Sequence, residues 1–502
     1  MYIYLYIILA YILILTGFNL YRARKVKSQE DFMVAGRSLN VRVMVFTLIC
    51  TWIGSGTFIA GAEYAAKAGF SSLWLPAGAW FGIIIIYFLA AKIRTFGQYT
   101  IGDILEVRYG KFARLFGAIA LVISFTAIVS YQFRAGGYIL NVVTDGHVSV
   151  ATGQLLAAFF VILFTALAGM MAVAYTDLPN GIIILLACII GTPFVYAAAG
   201  GLSAAKQVLP TGHFAVINET FGANPALKAG GYFLATGLLL LGVQSMYQKF
   251  YSARTPKDAR QAVALWVIGT IFVETVVVVM AVFAASKFWP QIQAWMDNPE
   301  TGIDPASIVL QAARSLVPPV VGILLLAAAC AVVISTGMNY LLSPTTNIMR
   351  DVYQRFINPQ ATQSTMVALQ KVMVVLLGVI AFFLATRLVS VLQMSYFAYT
   401  IYGVAITPAL IAALAWKRAT KAGGLASIVA GTVVCLFLKI IGYIFPDIMV
   451  PVGDPNGDPW GIPLIYPSIV ISLLCLFVVS WLTKPPRPEE LSQFFPNKKD
   501  GK

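Results

Sequence analysis

Charge is what this 502-residue chain has least of: Asp, Glu, Lys and Arg together make up 11% of it, against 59% hydrophobic residues. A water-soluble domain carries roughly a quarter charged residues, so a free-standing globular enzyme or binding module is excluded at the outset. Histidine is almost missing. His147 and His213 stand far from any paired acid or nucleophile, which removes the usual acid–base and zinc chemistries. The five cysteines, Cys50, Cys188, Cys330, Cys435 and Cys475, fall inside apolar runs with no metal-ligand spacing, so neither a zinc site nor a disulfide framework follows. Acidic residues number 20 against 34 basic ones. That excess would suit nucleic acid only if it gathered on one face, and it lies in short clusters between apolar stretches. The chain is expected to be no enzyme, to bind no nucleic acid and to carry no organic cofactor.

Long hydrophobic runs fill the space, and the mean hydropathy is +0.83. With about 20 apolar residues needed to cross a bilayer, thirteen spans are predicted at 2–20, 43–66, 72–92, 113–143, 152–175, 180–200, 231–248, 262–286, 318–345, 369–386, 390–416, 424–445 and 463–482. The expected class is an all-α integral membrane protein. Residues 2–20 lack a basic leader and a small-residue cleavage site, so they read as an uncleaved first helix.

Every second junction is basic: Arg22 to Arg42, Lys92 to Arg114, Lys249 to Arg260, Arg350 to Lys371, Lys417 to Lys421 and the tail from Lys484. Segment 446–462 instead holds Asp447, Asp454 and Asp458 and no basic residue. The positive-inside rule then places the N-terminus outside and the C-terminus in the cytoplasm, with the plasma membrane, the inner one in a bacterium, as the expected location. The external segments contain amphipathic pieces such as Trp289 to Trp295 that suit the interface. The tail is too short for an effector module, so a sensor would have to act through a partner. No span shows the polar stripe or filter of a channel.

One span is interrupted. Thr51-Trp52-Ile53-Gly54-Ser55-Gly56-Thr57 places two glycines and three hydroxyls near the middle of span 2. Unwound backbone at membrane depth is tolerated only where protein or a water-filled cavity satisfies it, and such breaks build the binding sites of secondary transporters. Span 7 carries Gly237 and Gly242 in a leucine run, a second and corresponding weak point.

Several segments carry a resemblance. Glu30-Asp31-Phe32 to Ala35-Gly36-Arg37-Ser38 and Tyr99-Thr100-Ile101-Gly102-Asp103 to Glu106-Val107-Arg108-Tyr109-Gly110 come first. Ala172 to Asp177, Gln248 to Arg254, Ser335-Thr336 and Asp351-Val352-Tyr353 follow. Together they resemble the sodium:solute symporter family over roughly residues 2 to 480. The resemblance implies the inverted-repeat, leucine-transporter-like architecture, with spans 2–6 and 7–11 as its halves. The chain then divides into a first helix and loop (1–42), a transport core (43–416), two accessory helices (417–482) and a tail (483–502). It also implies a secondary active transporter that imports a small organic solute by symport with Na+, the coupling ion, through alternating access.

A hard monovalent cation takes about five or six oxygens, which a broken helix and facing hydroxyls can provide. The resemblance assigns two carbonyls from the break, matching Thr51 and Gly54. From the ninth span it assigns a carbonyl and two adjacent hydroxyls, matching Val332, Ser335 and Thr336. Taken alone, that Ser–Thr pair reads equally as helix-to-helix glue or back-bonding to the preceding turn. A second cation site of some members uses the acid matching Asp177 and a hydroxyl one turn past the first pair, where this chain has Met338 and Asn339. One sodium per cycle is expected, and Asp177 remains a helix-end or exit acid.

Ionisable residues inside spans are functional candidates by default: Glu63, Arg134, Glu274 and Lys439. Lys439 suits a snorkel to the outer interface, and Glu274 either pairs within span 8 or faces a partner. Arg134 either clamps a solute carboxylate or snorkels or pairs with Glu63. Span 2 most resembles the choline-transporting branch in Thr51-Trp52 and Ala62-Glu63, yet other cage tryptophans of that branch fall on Ile128 and Val243, which disfavours choline. The tyrosine gate of sugar carriers falls on Leu239. A carboxylate or amino acid is left, with Trp52, Thr57, Glu63, Arg134, Gln244 and Tyr247 as expected solute contacts and Ser245 beside them. A choline-type cation importer and a partner-dependent sensor stay as alternatives.

Overall fold

A computed structural model describes residues 2–23, 28–96, 99–387, 390–451, 454 and 456–495. Arg24, Lys25, Lys27 and the last lysines of the tail, part of the orientation reading, lie outside the described residues. The described chain is helical nearly throughout, and its one β-bridge joins Leu39 to Ala253.

The first helix, α1 (Tyr2–Ala23), precedes the core, whose first half holds α2 (Val41–Trp52), α3 (Ala62–Ala68), α4 (Trp74–Phe96), the short α5 (Ile101–Tyr109), α6 (Lys111–Val143) and α7 (Val150–Ala198). The second comprises α8 (Pro225–Gly242), α9 (Gln244–Ser252), α10 (Pro256–Asp297), α11 (Pro319–Asn347), α12 (Gln363–Ala385), α13 (Val391–Ala405) and α14 (Thr407–Ala415). Two more, α15 (Lys421–Ile444) and α16 (Ile465–Leu482), pack on each other at the periphery. The core is tight where α11 runs against α6 and α7, and α2 lies between α7 and α10.

Eleven stretches among the described residues are long and apolar enough to cross a membrane, so the thirteen predicted spans are not confirmed as a count. The first helix and α2 are apolar but short, while the run Gly56–Phe96 counts once although it holds the end of one predicted span and all of the next. A further correction concerns spans 5 and 6. Their boundary was placed at the polar stretch after Tyr175, but α7 bends at Gly169, whose φ is +54°. A Cβ there would come within 2.7 Å of the Phe32 ring and carbonyl, so glycine answers both the left-handed backbone and the close approach. Asp177 therefore sits inside a span, not at its end.

The two predicted breaks are both present. Chain direction turns at Ile53 (φ −72°, ψ 93°) in the first half and at Val243 (φ −66°, ψ 118°) in the second. At each, one carbonyl caps the following segment: Gly54 O accepts from Thr57 and Phe58 N–H, and Val243 O from Met246 and Tyr247 N–H. After the first break the chain winds as a π-helix over Gly56–Gly61, a geometry frequent at functional sites.

Candidate cation and solute sites

A helix leaves its last four carbonyls without intrahelical partners, and α2 ends inside the protein. Ile49 O still accepts from Ile53 N–H at 2.7 Å, and Gly54 O is taken by the next segment. The carbonyls in between are the ones released. Thr336 on α11 reaches two of them: its Oγ1 donates to Cys50 O at 2.9 Å and lies 3.2 Å from Ile53 O. Both stand one residue before the expected Thr51 and Gly54. The Thr51 hydroxyl donates to Thr47 O within its own helix. Gly54 has a steric role, since a Cβ there would stand 2.7 Å from Thr336 Cγ2. The C-terminal end of α2 also presents the negative pole of its helix dipole to this spot. Val332, Ser335 and Thr336 are all buried on α11.

Ser335 turns the other way and donates to Asp177 Oδ1. The other carboxylate oxygen accepts from Thr47 Oγ1 at 2.5 Å and from Asn339 Nδ2 at 3.3 Å. Asp177, Ser335 and Thr336 thus form one continuous polar patch where α2, α7 and α11 meet.

One further turn along, a second cluster faces the π-helical segment. Glu274 on α10 is buried, and its two oxygens accept from Trp52 Nε1 at 2.9 Å and Trp80 Nε1 at 2.7 Å, with the Thr57 hydroxyl at 3.4 Å. Gly56 lets Tyr399 close over the group, since a Cβ would stand 2.3 Å from its hydroxyl. That hydroxyl lies 3.1 Å from the one on Tyr131. Trp52, Thr57, Glu274 and Tyr399 line a cavity of about 20 Å³, room for one water and not for an organic solute. An organic solute would fit here only if these side chains parted.

Of the six candidate solute contacts, Trp52 and Thr57 are brought together at Glu274, and the other four are seated elsewhere. Glu63 pairs with Lys67 at 2.8 Å and receives the Ser390 hydroxyl and Leu392 N–H, anchoring the start of α13. Its partner is not Arg134, whose guanidinium lies over the Tyr138 ring, 5.3 Å from its centroid. Gln244 caps α5 by accepting from Ile101 N–H at 2.7 Å. The Tyr247 hydroxyl donates to Leu241 O at 3.0 Å, repairing the backbone at the second break. Glu274 was visible as a membrane acid, but which side of α10 it occupies is a matter of packing. Lys249, read from sequence as the start of a basic junction, is buried and donates to Asn339 Oδ1.

The motifs carrying the resemblance also converge. Arg114 meets Asp103 at 2.7 Å, Glu106 at 2.6 Å and Asp351 at 2.6 Å. Burial raises the Glu106 carboxyl, but hydrogen bonds from Arg114 and Arg355 outweigh it and hold the group below its usual range.

The profile of the sodium:solute symporter family matches residues 32–431. The chain belongs to that family. This symporter-family chain is 26% identical over 501 residues to a high-affinity proline transporter of Bacillus subtilis (strain 168), covering 96% of this chain and 98% of that one. It is 25% identical over 446 residues to the high affinity choline transporter 1 of Homo sapiens, covering 85% and 74%. Among solved structures, a Na+-coupled sialic acid symporter in a substrate-bound outward-open state superposes with a TM-score of 0.75 at 13% identity, over 97% of this chain and 99% of that one. A nucleobase-cation-symport-1 family transporter gives 0.57 at 12% identity, over 92% and 97%. These likenesses establish the inverted-repeat fold of the sodium:solute symporters, whose relatives here are transporters and not enzymes.

Proposed function

We propose that this chain couples the inward movement of Na+ to the import of a small organic solute bearing a positively charged nitrogen, an amino acid or an organic ammonium. The observation carrying the solute class is Glu274. Indole N–H groups only donate, and one contacts each of its oxygens, an arrangement suited to the ionised carboxylate. With Trp52, Trp80 and Tyr399 around it, the group offers a counter-charge and aromatic faces, the latter worth about 0.5–2 kcal/mol to a cation. Proline and choline, which name two of the relatives, share such a nitrogen. Buried beside the first break, Gln132 Nε2 has no partner among the described residues and offers a donor to a solute oxygen. Of the two roles open to Arg134, its position over Tyr138 supports the snorkel rather than the carboxylate clamp.

Sodium enters at the end of α2, where Thr336 holds the released carbonyls. There it joins α2 to α11 and favours the state in which the solute site is complete, so each ligand raises the affinity for the other. One charge moving down the membrane potential contributes about 2.3 kcal/mol per 100 mV. The plasma membrane, with the N-terminus outside, is the orientation the loop charges favour.

Uptake into proteoliposomes tests this reading with a panel of amino acids, quaternary ammonium compounds and plain carboxylates, each with and without a sodium gradient. The expected result is sodium-driven uptake of a nitrogen-bearing solute that falls at least about tenfold in Glu274→Gln, the loss of one charged contact. Uptake of a plain carboxylate unaffected by that substitution would overturn the solute class.

A further inference from the structure

Lys249 has no role in either site above, and its burial calls for a reason. It stands on α9, directly after the second break, with its side chain among α7 and α11. A buried ammonium is costly unless it is paired and hydrogen-bonded. Its Nζ donates to Asn339 Oδ1 and lies 3.4 Å from Met170 Sδ. No carboxylate stands within 4.0 Å of it among the described ion pairs.

Its negative partner is one residue removed. Asn339 takes the ammonium on its carbonyl oxygen while its amide donates to Asp177 Oδ2 and to Ser335 O at 2.9 Å. Around this point gather both oxygens of Asp177, the hydroxyls of Thr47 and Ser335 and the amide oxygen of Asn339. Neutral and carboxylate oxygens in such number are the donor set of a hard cation. The lysine ammonium meets this group at one of its members, the amide oxygen of Asn339.

We propose that Lys249 is a tethered cation: its ammonium, held on the amide oxygen of Asn339, supplies the positive charge for the oxygen group around Asp177, so that only the neighbouring Thr336 site is left for sodium. The inference rests on the reading of the Thr336 site as a sodium site. Asp177 and Lys249 cancel in charge, and Ser335 is held on the Asp177 side while Thr336 faces the end of α2. Because Lys249 follows the break in the second half and Asp177 belongs to the first, the tether also links the two repeats.

The test counts sodium ions. Equilibrium binding of radioactive sodium to purified protein is measured for the wild type, Lys249→Met, Lys249→Gln and the double variant Lys249→Met with Asp177→Asn. Sodium-dependent uptake in proteoliposomes is recorded alongside. Wild type is expected to bind about one sodium with a Hill coefficient of about 1, and the lysine variants about two with a coefficient rising toward 2. The double variant returns to about one site, since the charge that held the second ion is gone. Lys249→Gln keeps length and a donor to Asn339, so it carries the test should the methionine variant fail to fold. Binding does not require transport competence. Two sites in the wild type, or one site in a folded lysine variant, overturns the tethered cation alone. No sodium bound by the wild type overturns the sodium-site reading and this inference with it.

Discussion

The two halves of this protein each contain a broken helix, capped at the break in the same way, yet the protein satisfies the freed backbone far more fully at one break than at the other. At Val243 the protein itself closes the gap. The Tyr402 hydroxyl donates to Gly242 O at 2.6 Å and receives Gln244 N–H at 3.0 Å, Tyr247 reaches Leu241 O, and Thr407 donates to Leu238 O at 2.6 Å. At Ile53 the released carbonyls meet one side-chain hydroxyl, that of Thr336, and the following turn is π-helical beside a buried carboxylate. A helix break becomes a site only where the protein leaves its backbone oxygens for something else to satisfy.

Matched glycine substitutions give the sharpest way to break this comparison. A Cβ on Gly54 would strike Thr336 at 2.7 Å, and one on Gly242 would strike Thr407 Oγ1 at 2.6 Å. Gly54→Ala is expected to raise the sodium concentration for half-maximal uptake by at least about tenfold, since it displaces Thr336, the proposed cation ligand. Gly242→Ala should instead destabilise the fold by about 1–3 kcal/mol through overpacking, with sodium dependence unchanged. Equal sodium defects in both would erase the distinction.

Tyr402→Phe sharpens it from the closed side. Losing the hydroxyl leaves a buried carbonyl and a buried N–H unpaired, about 1–3 kcal/mol for each group. Thermal unfolding in detergent should report that loss while the sodium affinity of the surviving protein stays at the wild-type value. Arg134→Gln, outside both breaks, should change uptake of any solute by less than about twofold.

A smaller effect distinguishes a segment between the membrane-spanning helices from the core. His213 packs edge-on against Trp289, and its Nε2 lies 3.2 Å from Ala66 O. Burial lowers its pKa below the usual 6.5, and the Ala66 carbonyl only partly offsets this. The unfolded chain therefore takes up the proton first as pH falls, and stability declines from about 6.5 downward until the folded state also protonates. Unfolding temperatures should drop across that window more steeply in the wild type than in His213→Gln.

Much of this was legible in the sequence because lipid imposes few solutions. Apolar runs gave the helices, and two glycines among hydroxyls marked the first break. The span 5–6 boundary was misread because Thr176-Asp177 looks like a helix end, whereas three side-chain donors let the carboxylate stay inside α7. Thr336 was found through resemblance, but the carbonyls it meets are set one residue earlier by which N–H groups the next segment consumes. Trp80 and Tyr399 carry no sequence mark, for an aromatic in a span reads as packing until its neighbours are known, and Asn339 is marked in the sequence only as a missing hydroxyl. Lys249 was hidden by the basic residues that follow it.

The central claim is that the first break, and not the second, holds the coupling ion. Radioactive sodium binding to purified Thr336→Val and Tyr402→Phe proteins tests it most directly. The account predicts that Thr336→Val loses saturable sodium binding while Tyr402→Phe retains wild-type affinity in a less stable protein. Wild-type sodium binding by folded Thr336→Val would contradict it.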